Sequence, residues 1–362
     1  MTMTGVFVDD QDKNFAAMIS TRGELNFGHL PIDTLTRLAG EVLAAAPLVV
    51  ALDYRLDEEF DGIDPADAYK GSALAQHLRD ASISEPSRDF GIVLVSAEMK
   101  IRQAFAPDRT AHDLFDRVYS KELIETARPE VRRELVALGE AYQALRAISG
   151  AFDIRTILAI DPDEADTVLS QELLHPIETA AAPHIVVRTL LRTVILQPGL
   201  LGDDADAAAI LGVDPSCMQA LAPELKGARL AYEGLLSGGW RRWWSHRLEA
   251  WAEEAYGARP TSLPASERAA RLRRRTAIEL TPALSPWNQS PDELVALACG
   301  SCRRPVEMRH TVAAFEPRLP RYATRRRICW DCVQKDSYGH ADLQVDESDA
   351  DLIAVIKGAD RT

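Results

Sequence analysis

The sequence predicts an α/β N-terminal third built on a doubly wound, parallel five-stranded sheet, then an all-α middle and a small cysteine-held module. Three observations carry this. Within residues 1–125, short apolar runs alternate with amphipathic ones. From about 126 to 258, apolar residues recur at three- and four-residue spacing, as in "RRELVALGEAYQALRAI". Two C-x-x-C pairs, 26 residues apart, lie near the C-terminus.

Taken in order, "GVFVDD" reads as a strand and a helix follows from about Asp12. "GELNFGHL" is a weaker strand and "IDTLTRLAGEVLAAA" a helix. "LVVALDY" is a strong strand, "GSALAQHLRDAS" a helix, "GIVLVSAE" a strand and "FDRVYS" a short one before a helix opening at Lys121. Strands alternating with helices imply a parallel sheet covered on both faces. The expected organisation is a sheet domain over 1–125, a helical domain over 126–258 and a linker with a short basic helix over 259–296. A cysteine module over 297–336 and a frayed acidic tail over 337–362 complete it.

The chain has 362 residues, 46% hydrophobic and 27% charged, with net charge −14. Those proportions suit a globular chain of two or three domains. No apolar run approaches the roughly 18 residues of a membrane span. "MTMTGVFVDDQDK" lacks the basic and apolar regions of a secretory signal, so the expected location is cytoplasmic, away from the membrane. Charge is unevenly placed. Residues 1–125 carry 22 acids against 12 bases, whereas Cys299 to Lys335 carries nine bases against three acids. Such a split suggests different tasks at the two ends.

In a parallel sheet of this kind, ligands bind beyond the carboxyl ends of the strands. There the sequence sets Asp9 and Asp10, then Asp53, Ser96 and Lys121, each group on its own strand end. Carboxylates would meet a hydroxyl and an ammonium in one crevice. In order and type these five residues resemble a receiver domain, the phospho-accepting module of bacterial response regulators. "YKGSALAQHLR" resembles that family's third-helix region. The likeness covers about a third of the chain. It departs in an insertion around "DEEFDGIDPADAY" and in Glu122, which stands where the family commonly has proline.

The resemblance implies a flavodoxin-like fold, a phosphoryl group accepted on Asp53 from a histidine kinase, and signalling to an unidentified downstream protein. It implies Mg²⁺ held by Asp9, Asp10, Asp53 and the carbonyl of Arg55, with Ser96 and Lys121 binding phosphoryl oxygens. The chain would then be a phospho-acceptor in a two-component phosphorelay, with no enzymatic output motif. Receivers joined to unusual helical and zinc segments also occur in phage-defence systems, an analogy at the level of fold. An alternative takes Asp10-x-Asp12 as the motif of a haloacid-dehalogenase-like phosphatase with Asp10 as nucleophile. It gives Asp53 no role.

"AAAILGVDPSCMQAL" has the spacing of a helix-turn-helix, but Asp203, Asp204 and Asp206 beside it would oppose phosphates, so a plain helical corner is expected. Trp240, Trp243, Trp244, Leu248 and Trp251 read as one helical face. Such a face serves as core or docking surface more often than for base stacking. Cys299, Cys302, Cys329 and Cys332 suit a structural tetrahedral Zn²⁺ in a zinc-ribbon-like module, and His310 and His340, spare donors by type, read as ordinary surface residues. The module's arginines raise a second alternative, a regulator that binds nucleic acid through it.

Overall fold

The computed structural model describes residues 2–10, 14–56, 68–148, 150–341 and 343–359, apart from the side chains at 109, 340 and 341. Contacts divide the chain into two units. One joins Met1–Ala165, Leu173–Leu191 and Gly234–Trp240; the other joins Asp166–Glu172, Arg192–Glu233 and Arg241–Thr362.

The first unit is built on β1 (Met3–Val8), β2 (Leu25–Leu30), β3 (Val49–Leu52), β4 (Gly91–Ser96) and β5 (Arg117–Ser120). They form one sheet in the order β2-β1-β3-β4-β5, every neighbouring pair parallel. That order is consistent with a flavodoxin-like α/β fold. Strand side chains alternate between faces. Val6, Val8, Val50, Leu52, Ile92 and Leu94 pack with α2 (Leu35–Ala45) and α3 (Gly71–Ser84). On the other face, Phe7 meets Phe15 of α1 (Phe15–Ile19). Both faces are covered, which is why "VVAL" of β3 is apolar throughout and wholly buried.

After β4 comes the short α4 (Glu98–Lys100), and after β5 come α5 (Lys121–Thr126) and the long α6 (Arg128–Arg146). Helix α6 lies on the same face as α1: a Cβ on Gly139 would stand 3.0 Å from Met3 Sδ, and one on Gly91 would stand 2.9 Å from Leu138. The sheet unit therefore runs beyond residue 125, because Val131, Leu135, Leu138 and Tyr142 give α6 an apolar stripe that this sheet buries. Short helices α7 (Ile154–Leu158), α8 (Pro162–Val168) and α9 (Gln171–Glu178) follow, then α10 (Pro183–Leu190).

Below the amino ends of β4 and β5, Arg79 is buried between two carboxylates. Its Nη2 lies 3.0 Å from Asp116 Oδ2, and its Nη1 lies 3.4 Å from Asp89 Oδ1. Tyr142 donates to Asp116 at 2.9 Å, and His184 of α10 bonds Asp89 through its backbone N at 2.6 Å and Nδ1 at 2.9 Å.

The second unit contains α11 (Asp204–Leu211), α12 (Met218–Gly227), α13 (Ser245–Tyr256) and α14 (Ala265–Thr276), together with a two-stranded ladder of β6 (Leu201–Gly202) and β7 (Trp243–Trp244). The span 126–258 is thus not purely helical. Helices α11 and α12 make the expected corner, their apolar faces sharing one core with Trp243, Trp251 and Leu272. The tryptophans are buried, but α13 begins only at Ser245, so Trp240, Trp243 and Trp244 precede the helix instead of lying on its face. Nor is 259–296 a simple linker: α14 buries Ala265, Arg268, Ala269 and Leu272.

Two antiparallel pairs follow, β8 (Val295–Ala298) with β9 (Pro305–Glu307) and β10 (Thr311–Ala313) with β11 (Arg327–Cys329), then α15 (Trp330–Gln334) and α16 (Ala350–Gly358). The expected frayed tail is partly ordered: Ile356 of α16 is buried among the cysteines' apolar neighbours. Among the described residues, no helix is long and apolar enough to cross a membrane.

Candidate phospho-acceptor pocket and cysteine centre

The register of the parallel strands brings the polar tips together. Val8 pairs with Leu52 and Leu52 with Leu94, while the Asp53 amide donates to Val8 carbonyl at 3.0 Å. Asp9 and Asp53 thereby follow adjacent strands, and each is only 1% exposed. Ser96 is the last residue of β4, and Lys121 follows β5 directly.

Ser96 Oγ donates to Asp53 Oδ1 at 2.6 Å, and the Arg55 amide donates to the same oxygen at 3.1 Å. Lys121 Nζ lies 2.6 Å from Asp9 Oδ2 and 3.7 Å from Asp53 Oδ2. Carboxylate oxygens of Asp9, Asp10 and Asp53 all lie within 4.8 Å of one another. Burial pushes the Asp53 carboxyl above its ordinary value, and the charge of Asp9 adds to this, while Ser96 and Lys121 oppose it. Three acids against one ammonium leave a cluster whose repulsion a bound cation would relieve. Residues 9, 10, 53, 96 and 121 are therefore gathered in one place. The backbone at Arg55 adjoins them.

Other contributors carry no signal in the order of residue types. His29 Nε2 donates to the Asp9 carbonyl at 2.9 Å, and the Lys121 ammonium sits 5.4 Å over the Phe15 ring. Gly71 opens α3 against the end of β3: a Cβ there would clash with the Asp53 carbonyl oxygen. Glu122, the departure after Lys121, accepts from the Glu98 amide at 2.9 Å. It links the loops after β4 and β5, a contact proline could not make. Asp12, required by the phosphatase alternative, and most of the insertion after Leu56 lie outside the described residues.

In the second unit the cysteines converge from two different local structures. Cys299 and Cys302 sit on the turn between β8 and β9, where Arg303 takes a positive φ of 58°. Cys329 ends β11 and Cys332 lies in α15, so the second pair opens a helix and not the second knuckle of a ribbon. Cys299 Sγ stands 3.9 Å from Cys332 Sγ and Cys302 Sγ 3.8 Å from Cys329 Sγ, and all four sulfurs lie within 4.8 Å of one another. Sulfurs about 2.3 Å from a tetrahedral zinc ion would stand about 3.8 Å apart, so the set is compatible with zinc. The amides of Ser301 and Cys329 donate to Cys299 Sγ. His310 instead bonds Glu307 and packs on Trp330; the His340 side chain lies outside the described residues.

Most of the module's arginines are paired. Arg303 bonds Asp203 and Asp206, Arg304 bonds Asp331, Arg309 bonds Glu293, Arg325 bonds Asp346 and Arg326 bonds Glu316. The surface is one of alternating sign instead of a continuous basic stripe.

No family model matches this chain, and no curated protein matches it. Among solved structures, the response regulator LqsR of Legionella pneumophila aligns at 15% identity over 41% of this chain and 50% of its own length, with a TM-score of 0.27. The chain spans half the length of that neighbour. The fold reading rests on the strand order, not on that likeness.

Proposed function

We propose that the sheet unit is a receiver-type phospho-acceptor, with Asp53 taking a phosphoryl group from a histidine kinase and the change passing to another protein by direct contact. The observation that supports it is the meeting of Asp53 with Asp9, Asp10, Ser96 and Lys121 at the carboxyl ends of the strands. In the transfer, an Asp53 oxygen attacks phosphorus, the P–N bond to the donor imidazole breaks, and the imidazole leaves with a proton. The product is an acyl phosphate. Ser96 would release the Asp53 oxygen and donate to a phosphoryl oxygen instead. Lys121, already 3.7 Å from Asp53, would follow.

Asp9, Asp10 and Asp53, with the Arg55 carbonyl, would hold Mg²⁺, which supplies charge neutralisation for the incoming phosphate. The four cysteines would hold a structural Zn²⁺ that stabilises the second unit. Incubation of the full chain with acetyl phosphate and Mg²⁺, followed by phosphate-affinity electrophoresis, tests this. One slower band, absent from Asp53→Asn and from a metal-free reaction, is expected. A band that survives in Asp53→Asn would overturn the proposal.

The nucleic-acid alternative gains no support from the module, because a chain-tracking phosphate surface needs unpaired basic groups and most arginines here are committed to carboxylates.

A further inference from the structure

Beside the first cysteine turn, the second unit holds a partly open cavity of about 230 Å³, lined in part by Arg242, Arg303, Arg326, Asp203, Asp206 and Gln197. Its walls carry three guanidinium groups and two carboxylates, and a third carboxylate, Glu316, bonds Arg326 and Gln197 beside it. The carboxylates are spoken for: Asp203 accepts from the Ala205 and Asp206 amides as the cap of α11, and both acids bond Arg303 Nη2. Arg326 gives only its backbone amide and Nε to Glu316. Arg303 Nε and Nη1, and Arg326 Nη1 and Nη2, therefore donate to no group among the described residues. The Gly300 amide donates to the Arg327 carbonyl at 2.7 Å, which sets the residue after Arg326 against this turn.

We propose that this cavity is a binding site for a small phosphate-bearing molecule, held by the uncommitted guanidinium edges of Arg303 and Arg326, with Arg242 adding charge. A guanidinium presents parallel N–H groups that match the oxygens of a phosphate. Two such edges suit a dianion better than a singly charged carboxylate. The volume, about 230 Å³ against the roughly 300–1,000 Å³ of drug-sized pockets, suits a phosphate with a small organic remainder. The lining residues belong to the second unit and Asp53 to the first.

The test uses the full, zinc-loaded chain carrying Asp53→Ala, in buffer without divalent ions other than zinc, so that the first unit contributes no phosphate signal. Inorganic phosphate is titrated while arginine Nε–H resonances are followed by ¹H–¹⁵N NMR. Saturable shifts are expected, weakened about tenfold or more by Arg326→Gln, since one charge-assisted pair is lost. Arg303→Gln should act alike, and Arg318→Gln, an exposed control, should change nothing. Unaltered zinc content and an unaltered urea midpoint in Arg326→Gln would show that its fold is intact. Absence of saturation at millimolar phosphate, equal binding in Arg326→Gln, or acetate binding as tightly as phosphate would each overturn the proposal.

Discussion

The ammonium of Lys121 lies 2.6 Å from the Asp9 carboxylate and 3.7 Å from that of Asp53, bridging two acids from different strand ends. One cation between buried acids compensates only part of their charge.

Asp53 should cost stability when ionised. Its carboxyl is raised above the ordinary value of 3.8, chiefly by burial. The folded state thus holds this proton more tightly than the unfolded state, and stability is greatest below 3.8 and falls as pH rises through the folded value. Asp53→Asn should come closest to the parent below pH 3.8 and exceed it at pH 7 in metal-free buffer. Urea melts across that range read the difference. Added Mg²⁺ should stabilise the parent and leave Asp53→Asn largely unaffected.

Arg79 should be costly to replace. It is buried against Asp116 and Asp89, and removing it strands two carboxylates below the sheet. Loss of one partner of a buried ion pair costs roughly 3–5 kcal/mol. Arg79→Met should therefore lower the urea midpoint of the first unit far more than Arg37→Met, whose ion pairs are exposed.

Arg268 closes the C-terminal end of α11. Fully buried, it donates to the carbonyls of Ala209, Ile210 and Val295 at 3.0, 2.9 and 2.6 Å, and burial pushes its guanidinium down to about 10. Gly212 makes room for it at a φ of 69°, where a Cβ would stand 2.7 Å from Arg268 Nε. Both Arg268→Met and Gly212→Ala should destabilise the second unit, the first by about 2–4 kcal/mol because carbonyls lose charged donors. Denaturation followed by the fluorescence of Trp243 and Trp251, which share that core, checks both.

Metal removal should act on the second unit. Cys299, Cys302, Cys329 and Cys332 anchor the apolar cluster that includes Val312, Ile328 and Ile356. Strong chelation should release about one zinc per chain and lower the melting temperature of this unit, as expected where metal binding and folding are linked. Cys332→Ser should reproduce the loss, and Cys217→Ser, outside the cluster, should not.

The strand tips were legible because a strand covered on both faces must be apolar, so an acid at its end marks where the sheet meets a crevice. "VVAL" before Asp53 and "GIVLVS" ending at Ser96 are such cases. The extent of the unit was not legible. Helix α6 has a stripe of Val131, Leu135 and Leu138 that any core would accept, and nothing local says that this sheet is the one it meets. Two-residue strands such as Trp243–Trp244 have no period to read. Nothing local marks Arg79 and Arg268 as buried, because their partners are distant in sequence. Asp116 is 37 positions from Arg79, and Ala209 is 59 from Arg268.

The most direct examination of the central proposal is to identify the modified residue. After reaction with acetyl phosphate and Mg²⁺, borohydride reduction converts an aspartyl phosphate to homoserine, which peptide mass spectrometry locates. Homoserine at position 53, and its loss in Lys121→Met or on omitting Mg²⁺, is the predicted result. Phosphate recovered on another residue, or an unmodified Asp53 in a folded chain that binds Mg²⁺, would contradict it.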